Sequence, residues 1–250
     1  MCESCGYELD PTLDEPCPEC GTPAARSRPE RRTGSPWQQS PGLASYLRTV
    51  WGAVTNPRRL LSTIDPRGTR GLLLAHTSAA TAIVLFWSSV ALVPDIVRGR
   101  VTLWSIFLRG FGGLGVSTAI GIAALTLLTA IAVPTLSTLE GRGLRLLAWQ
   151  RGWRFGRSLS GVVVAHGAAG WVAGLAVGAP LIAVGALAYE SFRGLGISRW
   201  TGNTIGVIGF GFIVAGFILF EIFAYIGLRQ CRFANAPKPS DDSNTTGATD

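Results

Sequence analysis

Apolar residues run through most of this chain in long unbroken blocks, and polar residues gather before and between them. Four blocks are long enough to cross a bilayer, which takes about twenty residues each: 72–93, 112–133, 159–187 and 205–228. The third is the longest and contains Pro180, which predicts a tilt, a kink or an interfacial start. Ahead of the first block, Leu43, Leu47, Val50, Trp51 and Val54 recur at helical spacing, with Ser40 and Pro41 as cap and first-turn residue and Asn56-Pro57 as a stop. Residues 43–61 therefore read as an amphipathic element lying on the cytoplasmic leaflet, with Trp51 at the boundary. Residues 101–110, with Trp104, Phe107 and Arg109, read as a further interfacial piece. The predicted fold is all-α and polytopic, with about four transmembrane helices and interfacial helices behind a small N-terminal metal-binding head.

The polar segments set the domain order: a head over 1–22, a flexible linker over 23–41, the amphipathic element and a basic approach over 42–71, the transmembrane domain over 72–233, and a disordered tail over 234–250. Residues 1–30 hold no apolar run of the signal-peptide kind, so the first span is expected to act as a signal anchor.

The head carries two C-x-x-C pairs, Cys2/Cys5 and Cys17/Cys20, each followed by glycine. This pattern suits a tetrahedral site of four thiolates. So few residues, mostly polar, cannot fold on burial alone, and a metal would stabilise them. Zinc is the expected ion, as one structural Zn2+, with iron as the lesser alternative; two disulfides in an exported head, or a redox pair, are the other readings. The head also holds Glu3, Glu8, Asp10, Asp14, Glu15 and Glu19 and no Lys or Arg. Phosphate backbones would be repelled, so nucleic acid is not expected as a partner. A basic patch on a cytosolic protein is the expected partner; the alternative is that these acids serve only solubility.

Charge also orients the chain. Of 22 basic residues, Lys238 is the one lysine, a bias expected of a high-GC bacterial genome. Arginines crowd before the first span and between the second and third, and thin out in the other two connections. By the positive-inside rule both ends and the central connection face the cytoplasm of an inner-membrane protein, where thiols stay reduced for metal. The central connection interleaves Arg142, Arg145, Arg151, Arg154 and Arg157 with Leu144, Leu147, Trp149 and Trp153, a pattern suited to anionic lipid headgroups as well as to plain anchoring.

Within the spans, Gly170, Gly174 and Gly178 repeat every four residues, and Gly202 and Gly206 do so at the start of the fourth. Such spacing lets helices approach closely, within one chain or in a homo-oligomer. The ionisable side chains singled out in the spans are His76, His166 and Glu221, at similar predicted depths. They would form either a structural tie or a proton or ion relay. No nucleophile elbow, phosphate loop or protease motif occurs, so no enzyme is expected.

The two knuckles resemble those of zinc ribbons and, in Cys5-Gly6-Tyr7 with Cys17-Pro18-x-Cys20-Gly21, those of rubredoxin, without its long aromatic insert. Residues 46–93 resemble the start of the Yip-type membrane domain in Tyr46-Leu47, Val50-Trp51, Val54 and Asn56-Pro57-Arg58-Arg59-Leu60. That resemblance implies a multi-span domain, usually of five spans, with a trafficking-adaptor role in eukaryotic members. The expected function is a non-enzymatic membrane adaptor or scaffold. A small transporter or ion-conducting protein is the alternative, and a metal or redox sensor a third.

Overall fold

The computed structural model describes residues 1–10, 14–69, 71–91, 114–191 and 198–235. The piece expected at 101–110 and all but Ala234 and Asn235 of the expected tail lie outside the described residues. Among the described residues there are helices and turns and no strand. After two 3-10 turns, Ala24–Ser27 and Pro29–Arg31, come α1 (Pro36–Gln39), α2 (Leu43–Thr55) and α3 (Pro57–Thr63). The long helices follow: α4 (Leu72–Ala91), α5 (Leu114–Gln150), α6 (Arg157–Gly167), α7 (Ala169–Ser191) and α8 (Ser198–Gln230). Four helical stretches are long and apolar enough to cross a membrane: Leu72–Ala91, Ile120–Gln150, Arg157–Ala188 and Asn203–Gln230.

The expected linker is a packed layer. Ser35 starts α1 with a full capping box: its hydroxyl accepts from the Gln38 N–H, and the Gln38 side chain accepts from the Ser35 N–H. Ser40-Pro41 does not start α2; Ser40 ends α1, its N–H donating to the Pro36 carbonyl, and Gly42 stands at the α2 N-terminus without a side-chain cap. The single element expected over 43–61 is two helices, because Asn56 turns the chain and caps α3 by accepting from the Arg59 N–H at 3.2 Å. On α2 the apolar stripe faces outward, with Leu43 76% and Trp51 71% exposed, while Tyr46, Thr49 and Ala53 face the protein. An outward stripe of this kind is what an interfacial helix presents to lipid.

The central connection is not a loop. α5 is 37 residues long, about 56 Å at 1.5 Å per residue, and passes through Pro134 without ending. Its last turns carry Arg142 and Arg145, with Leu144 and Ala148 turned into the core. The third span is interrupted at Ala168, between α6 and α7, and Pro180 lies inside α7. Val162, Val163 and Val164 form helix despite their branching, because α6 is packed by α5 and α8 and is buried from Val162 to Gly167.

α7 lies closest to α8. A Cβ placed on Gly174 would come within 2.6 Å of the Gly216 Cα, and one on Gly178 within 2.5 Å of the Gly209 carbonyl oxygen. The glycines of α8 that meet this ladder are Gly209 and Gly216; Gly206 faces open space. Outward positions such as Val207 and Phe210 are 70% and 62% exposed, a hydrocarbon surface suited to lipid.

Candidate metal centre and its anchorage

Each cysteine pair closes the same turn. The Cys2 N–H donates to the Tyr7 carbonyl and the Gly6 N–H to the Cys2 carbonyl, at 2.8 and 2.9 Å. Cys17 with Thr22, and Gly21 with Cys17, repeat this at 2.8 Å each. Gly6 and Gly21 take φ of +85° and +68°, the left-handed region that glycine enters without strain. The two knuckles face each other. Cys2 Sγ lies 3.6 Å from Cys20 Sγ, and Cys5 Sγ lies 3.5 Å from Cys17 Sγ. All four sulfurs lie within 4.8 Å of one another, and none is in a disulfide.

This donor set fits a metal. A Zn–S distance of about 2.3 Å in a tetrahedron implies sulfurs about 3.8 Å apart. The thiols also show how badly they share charge. Bonds from the Thr22 hydroxyl and then its N–H hold Cys20 down to about 6. Cys5 goes the other way, to about 12: the Tyr7 backbone lowers it, but desolvation and the thiols of Cys17, Cys20 and Cys2 raise it by more. Four thiolates this close need a cation to coexist.

The head is docked, and Arg32 is the main tie. It is 2% exposed, and its Nε and one terminal nitrogen each donate to a Glu3 carboxylate oxygen at 2.9 Å. The same terminal nitrogen donates to the Gln230 carbonyl at 3.0 Å, at the end of α8. Its other terminal nitrogen lies 3.6 Å from Cys231 Sγ. Burial pushes the Cys231 thiol up to about 11, so it stays protonated, 3.5 Å from the Leu61 carbonyl it can donate to. Asn235 adds a second tie. Its side-chain N–H groups donate to the Met1 and Ser27 carbonyls at 2.9 and 2.6 Å, and its backbone N–H to Glu3 at 2.7 Å. The Phe233 ring would lie 2.7 Å from a Cβ on Gly6, whereas nothing lies within 4 Å of one on Gly21. The first knuckle is thus the seated face and the second the free one.

The expected acidic face is partly used within the chain: Glu3 pairs with Arg32 and Asp14 with Arg28. Glu8, Glu15 and Glu19 remain exposed. Sequence reasoning passed over Arg32, Ser35 and Tyr46 because it placed them in a linker and on a surface helix. The capping spacing Ser35-x-x-Gln38 was the available signal.

His76 and His166 are fully buried, and the partners of their ring nitrogens are Tyr46, Val162 and Ser35. His166 Nδ1 lies 2.8 Å from the Val162 carbonyl, so that nitrogen carries the proton. Nε2 then accepts from the Ser35 hydroxyl at 2.9 Å. His76 Nδ1 meets the Tyr46 hydroxyl at 3.0 Å. Both histidines therefore seat the N-terminal layer. Glu221 is partly exposed, as is Glu140 on α5, a second carboxylate that went unnoticed because its segment was read as a connection. Of the five candidate headgroup arginines, Arg145 bonds back to the Gly141 carbonyl at 3.4 Å, Arg151 stacks over Trp153 at 5.2 Å and Arg154 lies 3.6 Å from Met1 Sδ. Arg142 and Arg157 show no such contact.

What these features define is an all-α chain with four helices fit to span a membrane and a thiol cluster fit to hold a metal ion. The chain matches no family model, no curated protein and no solved structure, so the likeness of residues 46–93 to the Yip-type domain rests on those residues alone.

Proposed function

We propose that this protein is a non-enzymatic adaptor of the cytoplasmic membrane. A zinc ion on Cys2, Cys5, Cys17 and Cys20 shapes the head, which presents its second knuckle to a basic surface on a cytosolic protein. The observation that supports this reading is the asymmetry of the head. Gly6 and Glu3 are taken up in seating it, against Phe233 and Arg32, while Glu15 and Glu19 are exposed and the space beside Gly21 is open. The metal site needs both knuckles, but the second also leaves Glu15 and Glu19 exposed for a partner. The Arg32 tie makes it a rigid platform, so a bound partner would be held at a fixed place against the membrane.

The test is a crosslinked capture from native membranes, comparing wild type with Glu15→Lys/Glu19→Lys, which leaves the thiols and the Arg32 tie intact. A cytosolic protein captured by the wild type and lost from the variant supports the adaptor. Identical captures from both, or none from either, overturn it. The ion-conducting alternative has one favourable observation, two carboxylates, Glu140 and Glu221, on helices fit to span a membrane. Against it, a cavity of about 600 Å³ between α4, α5, α7 and α8 is lined without a charged side chain. Glu221→Gln should leave proton flux in liposomes unchanged on the adaptor reading, and a loss of flux would replace that reading.

A further inference from the structure

Beneath the seated knuckle lies a cavity of about 690 Å³ that neither the metal centre nor the proposed adaptor surface uses. Besides Arg32, five arginines from three parts of the chain converge on it: Arg26 and Arg31 from the turns after the head, Arg58 from α3, and Arg229 and Arg232 at and just past the end of α8. The carboxylate that lines the cavity is Glu3, and both its oxygens are already bonded to Arg32. Arg31 and Arg232 are steadied by backbone carbonyls, of Arg26 and Ser4, and not by a counter-charge. Among the described residues none of the five is in an ion pair; the pairs are those of Arg28, Arg32 and Arg67. Guanidinium groups gathered around one space repel each other, and a chain that brings them together has a place for an anion.

The far wall of the cavity says which anion. It is formed by Ile222, Tyr225 and Ile226 on α8, with Ile222 46% and Tyr225 43% exposed, inside a stretch fit to span the membrane. Ile222 stands about 12 Å along α8 from Gln230, at 1.5 Å per residue. The cavity therefore opens onto the hydrocarbon side of α8 over the depth that separates headgroups from the upper acyl chains, while its basic end lies under the head.

We infer that this cavity binds the headgroup of an anionic phospholipid, its phosphate among Arg26, Arg58 and Arg229 and its acyl chains along Ile222 and Ile226. The site differs from the arginines of α5 and the following turn that the sequence singles out, none of which lines this space. It stands independently of the adaptor reading, since it needs the membrane and not a protein partner. Because the lipid would touch the head, α3 and α8 at once, it would also help to hold the head down.

The full chain, metal-loaded, would be extracted in mild detergent and titrated with phosphatidylglycerol, phosphatidylcholine or inorganic phosphate, with bound lipid counted by native mass spectrometry. Wild type should retain phosphatidylglycerol against a wash that removes phosphatidylcholine. Arg58→Gln/Arg229→Gln should weaken retention roughly thirty-fold, taking an arginine near an anionic headgroup at its usual strength. Arg142→Gln/Arg145→Gln removes the same charge elsewhere and should retain as wild type does. Both exchanged residues of the first variant are exposed and outside the Arg32 tie, and circular dichroism would confirm its fold. Equal weakening by both variants would reduce the effect to net charge and overturn the site. Inorganic phosphate displacing the lipid at comparable concentration would make it a free-anion site and overturn the lipid assignment.

Discussion

The contact of α7 with α8 makes a prediction whose size can be worked from distances. Gly174→Ala adds one methyl group, which would stand 2.6 Å from the Gly216 Cα and 2.9 Å from the Phe212 carbonyl oxygen. Carbon atoms rest at about 3.5–4.0 Å, so the helices must part by about 1 Å or tilt. Both atoms are backbone, so no side chain can swing away. Overpacking of this kind costs about 1–3 kcal/mol. The exchange also brings about 1 kcal/mol of helix preference, which would mask part of the cost. Gly206→Ala on α8 supplies the correction: it gains the same preference and meets nothing within 4 Å. The difference between the two variants should therefore be about 1–3 kcal/mol, with Gly174→Ala the less stable. Reversible unfolding by denaturing detergent in mixed micelles, followed by far-UV circular dichroism, measures it. Equal midpoints, or a more stable Gly174→Ala, would refute the close approach.

Three further outcomes follow from the N-terminal layer. Glu3→Gln leaves the buried Arg32 guanidinium without its counter-charge and should cost about 3–5 kcal/mol of docking, read as new trypsin cleavage at Arg26 and Arg31 that the wild type resists. Ser35→Ala removes a cap and the partner of His166, for a loss of about 1–3 kcal/mol, whereas Ser40→Ala should be near neutral in the same unfolding assay. Burial pushes Tyr46 up to about 12, against about 10 when unfolded. Its neutral form is then favoured in the folded state, so the stability it lends is intact below pH about 10 and drains as pH rises from there towards 12. Tyrosinate absorbance should show a late-titrating group that Tyr46→Phe removes, and its persistence in that variant would refute the assignment.

Much of this architecture is legible in the chain, because the signals that survive are local. A C-x-x-C-G turn specifies its own geometry, and twenty apolar residues specify a span whatever surrounds them. The losses are all tertiary. Arg32 looks like the other linker arginines until Glu3, Gln230 and Cys231 close around it, and those partners are far away in sequence. Two Ser-Pro pairs compete to start the first helix; Ser35 wins because Gln38 stands three residues on, while Ser40 has Leu43 there. His76, His166 and Glu221 share a predicted depth, but depth does not fix which way a side chain faces around a helix. Two of them turned towards the N-terminal layer, which composition alone had marked as open chain. α5 runs past the end of its apolar block at 133, because a helix continues through polar residues where they emerge at its exposed end, and Pro134 is absorbed within it.

The ties between head and bundle join the first part of the chain to the last. Asn235 reaches Met1 across 234 positions, and Arg32 reaches Gln230 across 198. At usual rates of synthesis, roughly 10–40 s pass between the emergence of the head and that of its seat. During that interval the thiols are in place and their docking surface does not exist. The head must therefore keep its shape alone, which a metal can do and a handful of polar residues cannot. Its seating is then the last step of assembly: it can occur only after every helix has been laid down and α8 has delivered its end to the side where the head waits. Release of the docked state by chelation or by a misdirected last helix would free the same stretch, so trypsin cleavage at Arg26 and Arg31 reports on both metal supply and correct insertion.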